Sequence, residues 1–269
     1  MKAFYNKRKV LSASLVLIAL LISTLRAYSF QTGQEYFQIR IYNISKKAQE
    51  DKIDVYLKNV YIPALHRAGI TQVGVFKPIE KDTVFYGKLI YVFIPFRTVD
   101  QFIQLPIVLN NDKAFVEASK SFVDAPYNDP PFNRYENILL KAFINMPKFR
   151  APKYATPPSQ RIYELRSYES ATEAKALKKI EMFNQGGEIA IFEKLGFNAA
   201  FYGQVLVGSH MPNLMYMTTF ENMESHDAHW IAFRNSPDWK TLSGMEEYKN
   251  TTSKTTPVML LHPTDYSDF

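Results

Sequence analysis

The 269-residue sequence predicts an α+β fold: two split β-α-β repeats in tandem, whose antiparallel sheets pack face to face as a barrel within one chain. The first observation is that the predicted order strand, helix, strand, strand, helix, strand occurs twice. The second is that matching segments lie 124 to 127 residues apart: Ile39–Tyr42 with Leu165–Tyr168, Arg67–Ile70 with Lys194–Phe197, and Ile90–Phe96 with Leu214–Phe220. Three matches at nearly one offset are typical of a duplicated unit.

The first repeat, residues 31–146, begins with a strand of alternating apolar and polar residues, and we expect Phe37, Ile39 and Ile41 to face a helix layer. Pro63 predicts a kink in the helix that follows, because proline lacks a backbone N–H. The predicted elements are a strand over 36–42, a helix over 48–68, strands over 70–78 and 84–96, a helix from 99 and a strand over 134–143.

A proline-rich linker over 147–159 separates this repeat from the second one, which spans 160–262 and is followed by a C-terminal tail, 263–269. The second repeat has strands over 161–168, 199–203, 213–220 and 255–261, with a helix that ends at Gly196 between the first two. Ser236 and Pro237 have the N-cap and first-turn chemistry of a helix start.

A second set of strand residues is predicted to point away from the helices: Arg40, Tyr42, Arg166, Tyr168, Tyr216 and Phe220. These side chains are half apolar, so their face needs a cover. Packing of one sheet on the other within the chain provides that cover, and a homodimer is the alternative.

The N-terminal segment has the pattern of a secretory signal peptide over residues 1–29. Lys7, Arg8 and Lys9 precede an apolar run, and small residues follow that run at the spacing of a cleavage site. The pattern predicts export to the periplasm or the extracellular space, with an uncleaved membrane anchor as the alternative. We expect contact with a membrane only through this segment, before cleavage.

The charge balance excludes a nucleic-acid-binding body. The formal net charge is +6, but five of the 32 basic residues lie in the first 29 positions and no acidic residue precedes Glu35. The remaining 27 basic and 26 acidic residues nearly cancel. The chain has no cysteine, which excludes disulfides and thiolate metal sites.

The second repeat resembles the NIPSNAP family, a branch of the dimeric α+β barrel superfamily with a ferredoxin-like fold. The first repeat is similar to that superfamily in order and spacing only. The motifs that carry the resemblance are Tyr163-Glu-Leu-Arg166, Gly186-Gly-Glu-Ile189, Leu195-Gly-Phe197, Phe201-Tyr-Gly203, Met211-Pro-Asn-Leu214, His229-Trp230 and Pro237-x-Trp239. The resemblance implies a fold and a duplicated architecture, and it implies little chemistry.

Five residues are candidates for ligand binding in a cleft between the helices and the sheet of the second repeat: Gly187, Tyr202, Tyr216, His229 and Arg234. Gly186 and Gly187 interrupt a helical pattern, so either close packing or room for a ligand accounts for the missing side chains, and packing is favoured. His226 and His229 share a helix face, yet no third ligand accompanies them, which favours structural roles over metal binding.

No nucleophile triad, phosphate-binding loop or paired catalytic carboxylate is present, and no cofactor or metal is expected. We therefore expect an exported protein that binds a small apolar molecule or a protein partner. The alternative, which the resemblance implies, is a cofactor-independent monooxygenase or an isomerase that uses the helix–sheet cleft of the second repeat. An enzyme needs a titratable group that faces an enclosed pocket, whereas a binding protein needs an apolar groove.

Overall fold

The computed structural model describes residues 33–81, 84–255 and 258–269. The predicted signal peptide lies outside these residues. Within the described ranges, no helix combines the length and the apolar character needed to span a membrane.

The described strands are all antiparallel, and eight of them close into a barrel. They are β1 (Tyr36–Asn43), β2 (Gly74–Pro78), β3 (Leu89–Phe96), β4 (Arg134–Ala142), β5 (Ile162–Glu169), β6 (Asn198–Val207), β7 (Asn213–Phe220), β8 (Lys254–Thr255) and β9 (Met259–Pro263). Hydrogen-bonded neighbours follow the order β7-β6-β4-β1-β3-β2-β9-β5, and β5 pairs with β7 to complete the ring. The predicted barrel within one chain is confirmed.

Two strand pairs join the N-terminal and C-terminal halves of the barrel. β4 pairs with β6 through Leu140 and Val205, and β2 pairs with β9 through Phe76 and Pro263. The two sheets therefore face one another and also share hydrogen-bonded edges, which satisfies backbone groups that open edges would leave unpaired. One chain covers its own inner face, so this closure requires no second copy.

Helices cover the outside of the barrel in each half. They are α1 (Lys47–Tyr56), a π-helical turn (Leu57–Tyr61), α2 (Ile62–Arg67), α3 (Val99–Asn111), α4 (Lys113–Val123), α5 (Glu173–Asn184), α6 (Glu188–Lys194), α7 (Met223–Asn235) and α8 (Pro237–Gly244), followed by a 3-10 turn (Glu246–Tyr248). The kink expected at Pro63 takes the form of the π-helical turn that precedes it. Ser236 caps α8 by accepting a hydrogen bond from the backbone N–H of Trp239, as predicted.

The strand faces are opposite to the prediction. Phe37 and Ile39 of β1 point into the barrel, not toward a helix layer, and pack with residues from both halves. Tyr42, Tyr168 and Tyr216 instead lie under the helices. The interior is mainly apolar, although it includes Tyr91 and Tyr163, whereas on the outer face Tyr42 accepts a hydrogen bond from Arg40 and Tyr168 is hydrogen-bonded to Tyr216.

Aromatic rings fill the middle of the barrel. The rings of Phe37, Phe93 and Phe201 form a triangle with centroid separations of 5.0 to 5.4 Å. At the end of the barrel where β1 begins, Phe269 packs 4.7 Å from Phe149 and 6.0 Å from Phe93. The predicted tail and the predicted linker thus each contribute a ring that closes this end.

Candidate functional site

The opposite end of the barrel contains a cavity of about 370 Å³. Its inner wall is apolar and is formed by Ile41, Tyr91, Ile138, Leu165, Met215 and Met259, which come from six different strands. The triangle of phenylalanines lies deeper in the barrel, where larger rings replace these aliphatic side chains. The volume falls in the range of small-molecule sites, and the mixture of an apolar wall with few polar groups is typical of such sites.

A hydrogen-bonded pair of polar side chains, Asn213 and Ser167, lies beside the apolar wall. Asn213 at the start of β7 donates a hydrogen bond from Nδ2 to Oγ of Ser167 on β5, at 2.9 Å. Asn213 is only 4% exposed, and its Oδ1 has no hydrogen-bond partner among the described residues. A buried acceptor without a partner costs free energy, so this oxygen is a place where a ligand donor could bind.

Charged residues surround the mouth of the cavity. Glu136 accepts a hydrogen bond from Oγ of Ser209, and Lys88 also lines the opening. Nδ1 of His210 lies 3.3 Å from Oε1 of Glu169. His210 has a φ of +65°, a backbone conformation that side-chain-bearing residues seldom adopt, and such residues often occur at functional sites.

The sequence-based candidates lie elsewhere, on the outer side of the sheet. Tyr202 and Tyr216 are at most 1% exposed, with ring centroids 5.6 Å apart, and burial raises the pKa of both phenols. Nδ1 of His229 donates to the carbonyl oxygen of Ser225 at 2.6 Å. Arg234 is exposed on α7. The structure brings the two tyrosines together in a filled aromatic core, and none of these residues lines the barrel cavity.

Gly187 does not lie inside a helix, contrary to the predicted pattern. It forms the N-cap of α6 with a φ of +89°, and a Cβ built on it would meet nothing within 4 Å. The conformation, not close packing, therefore explains this glycine. Gly186 is different, because a Cβ there would lie 2.6 Å from the carbonyl oxygen of Met182 in the last turn of α5.

A buried ionic cluster under α7 escaped the sequence analysis. Glu164 is held by Nη2 of Arg166 at 2.6 Å and by the indole N–H of Trp230, while Nε2 of His226 lies 3.4 Å away. The Arg166 guanidinium also stacks on the Trp230 ring, 3.8 Å from its centroid. The available signal was a pair of opposite charges two residues apart on one face of a strand.

A second buried pair joins the two helices that flank Gly187. Lys179 of α5 lies 2.8 Å from Glu188 at the start of α6, and both side chains are at most 7% exposed. Burial raises the pKa of Glu188, although Lys179 opposes that effect. The position of the pair fits a structural role, because the pair holds α6 against α5. A carboxylate at the N-terminus of α6 is also favoured by the helix dipole.

Outside the barrel, a groove of about 730 Å³ lies on the surface. Several of its polar side chains already have partners: Lys77 pairs with Glu50 and Asp54, and Tyr266 donates to Asp54. In the described part of the chain, no group of three His, Asp or Glu side chains is arranged to hold a metal ion. The barrel cavity is therefore the better candidate site.

The conformation of Gly187 predicts the effect of a single methyl group. Gly187→Ala should lower the free energy of unfolding by about 1–2 kcal/mol, because alanine is strained at positive φ. Gly244→Ala is the matched control, since Gly244 has space around it and lies at the end of a helix. Urea unfolding measures both, and equal stabilities of the two variants would contradict the conformational explanation.

The Glu164 cluster predicts a pH-dependent stability. Burial disfavours the imidazolium of His226, but the nearby carboxylate of Glu164 and that of Asp227, which is hydrogen-bonded to Nδ1, outweigh it and raise the pKa of His226 above 6.5. The resulting stability is fully present below pH 6.5 and is lost as the pH rises through the folded-state value. The stability difference between the wild type and His226→Gln should therefore shrink from pH 6.5 upward.

Urea unfolding across that pH range tests this expectation. His262→Gln is the control, because Nδ1 of His262 is hydrogen-bonded to the carbonyl oxygen of Arg161 and not to a carboxylate. A stability difference for His226→Gln that stays constant, or grows, as the pH rises would contradict the expected role of the charged imidazole.

Comparison with known proteins identifies the second half. Residues 163–268 match the model of the NIPSNAP family. No protein with curated function matches the chain.

Two solved structures, named as putative monooxygenases, have similar folds. The protein from Lactobacillus acidophilus NCFM has a TM-score of 0.55 and 15% identity, over 86% of this chain and 94% of that one. The protein from Fusobacterium nucleatum subsp. nucleatum ATCC 25586 has a TM-score of 0.53 and 10% identity, over 86% of this chain and 93% of that one.

An anthrone oxidase-like protein is also similar, with a TM-score of 0.50 and 9% identity, over 86% of this chain and 92% of that one. Identities this low carry the fold alone and say nothing about the reaction. Together with the closed antiparallel barrel, the family match identifies residues 163–268 as a NIPSNAP domain within a dimeric α+β barrel fold.

Proposed function

We propose that this protein binds a small apolar molecule in the barrel cavity. The observation that carries the proposal is the cavity itself: about 370 Å³ of space inside an otherwise packed barrel, with an apolar wall and a buried acceptor at Asn213. Protein interiors are normally filled to high density, so a cavity of this size at a barrel mouth favours a ligand site.

Binding is favoured over catalysis because the inner wall holds no titratable side chain except the Tyr91 phenol. The acids and bases, Glu136, Lys88 and His210, lie at the mouth. The alternative, monooxygenase or isomerase chemistry in the helix–sheet cleft, has less support, because Tyr202 and Tyr216 are enclosed there by aromatic rings. The likeness to putative monooxygenases is a likeness of fold.

A matched pair of tryptophan variants tests the site. Ile41→Trp places an indole into the cavity from a partly buried position, whereas Ile231→Trp adds the same group to an exposed position on α7. With N-phenyl-1-naphthylamine as a fluorescent apolar probe, we expect saturable binding to the wild type and to Ile231→Trp. Binding to Ile41→Trp should be at least about tenfold weaker, because the filled space excludes the ring.

Titration of probe fluorescence measures the three dissociation constants, and urea unfolding confirms that both variants are folded. Equal affinity of Ile41→Trp and the wild type would show that the probe binds elsewhere and would refute the proposed site.

We also propose that residues 1–29 direct export and are then removed. The support is the sequence pattern of a basic start, an apolar run and small residues before Phe30. Intact-mass measurement of the protein recovered from the exported fraction should give a chain that begins near residue 30. A full-length mass in the membrane fraction would instead support the anchor.

A further inference from the structure

We infer that the ligand of the barrel cavity is an apolar molecule with a hydrogen-bond-donating head, an alcohol, a phenol or an amine, and that this head binds at Asn213 and Glu169. The inference rests on the proposed function and specifies the class of its ligand. It comes from two buried acceptor oxygens: that of Asn213, which lines the cavity, and that of Glu169, the direct partner of Asn213 across the strand pair.

The strand register places the two residues together. Asn213 of β7 and Glu169 of β5 are direct partners across an antiparallel pair. Directly opposed residues point to the same face, with Cβ atoms about 4.5–5.5 Å apart. That face is the barrel interior, because Ser167 and Met215, two residues along each strand, line the cavity.

Both residues have an acceptor that is not hydrogen-bonded. Oδ1 of Asn213 and Oε1 of Glu169 are buried and have no hydrogen-bond partner among the described residues. The amide of Asn213 is fixed through its other end, since Nδ2 donates to Ser167. The neighbouring His210 lies 3.3 Å from the Glu169 carboxylate without meeting hydrogen-bond geometry. Two buried acceptors lack donors, so the complementary group is a donor.

The apolar wall of the cavity indicates the chemistry of the rest of the ligand, beyond its hydrogen-bonding head. Its wall of Ile, Leu, Met and Tyr side chains suits a hydrocarbon or aromatic body, and the phenylalanine triangle limits its depth. A ligand in this orientation keeps its donor at the mouth and its apolar part inside. A hydroxyl and an ammonium satisfy the acceptors equally in geometry, but only the ammonium gains from the charge of Glu169.

Three naphthalene probes of similar size separate these cases: 1-naphthol, 1-(aminomethyl)naphthalene and 1-methoxynaphthalene, which has no donor. Isothermal titration of the full-length protein should show that at least one of the two donor probes binds about tenfold tighter than the methyl ether. In Asn213→Leu, which keeps the size but removes the acceptor, we expect that ratio to fall to about one. Glu169→Gln should weaken only the ammonium probe.

A stability readout distinguishes this role from a structural one. If Asn213 serves only to hold Ser167, then Asn213→Leu should lower the urea midpoint, whereas removal of an unpaired acceptor should leave the midpoint unchanged or raise it. Ser167→Ala is a second variant: it removes the hydrogen bond to the Asn213 amide without filling the cavity.

The outcomes separate the two proposals. Equal affinities of the three probes for the wild type, all weakened by Ile41→Trp, would leave the cavity as the site and overturn the donor inference. A donor preference that persists in Asn213→Leu would overturn it as well. If none of the probes binds the wild type, both the donor inference and the proposed function fail.

Discussion

Closure of the barrel by strand pairing between the two halves is the constraint on which the rest of the structure depends. The pairings of β4 with β6 and of β2 with β9 make one ring from two sheets. That ring creates a largely buried interior, which favours the apolar side chains of each strand. The outer faces hold Tyr42, Tyr168 and Tyr216 on the side that the helices cover, together with Arg40 and Arg166. The position of the candidate cavity follows from the same closure.

The order of elements was predictable from the sequence, because hydrophobic period and helix punctuation are local properties. The sidedness of the strands was not. Arg40 and Arg166 were expected to point away from the helices, because the apolar residues that alternate with them along the strands were assigned to the helix side. Each instead has partners on the helix side: Arg40 lies over the Tyr135 ring, and Arg166 binds Glu164 and stacks on Trp230. Such partners come from distant segments, and a single sequence does not show them.

The candidate site was beyond prediction for the same reason. Asn213 lies in the Met211-Pro-Asn-Leu214 motif, which indicates the family but no chemistry, and Ser167 lies in no motif; the sequence analysis assigned neither residue a role. Their contact depends on the register between β5 and β7, and the cavity depends on six strands at once. For Gly187 the sequence indicated that a side chain is disfavoured, but it did not show why. A glycine required by backbone conformation and a glycine required by close packing look the same in a sequence.

The ring of Phe269 determines which end of the barrel is open to a ligand. Together with Phe149 and the phenylalanine triangle, it seals the end where β1 begins. The barrel is therefore a blind well and not a channel. A molecule bound as proposed would therefore enter and leave through one opening. A molecule longer than the well would keep its far end in solvent.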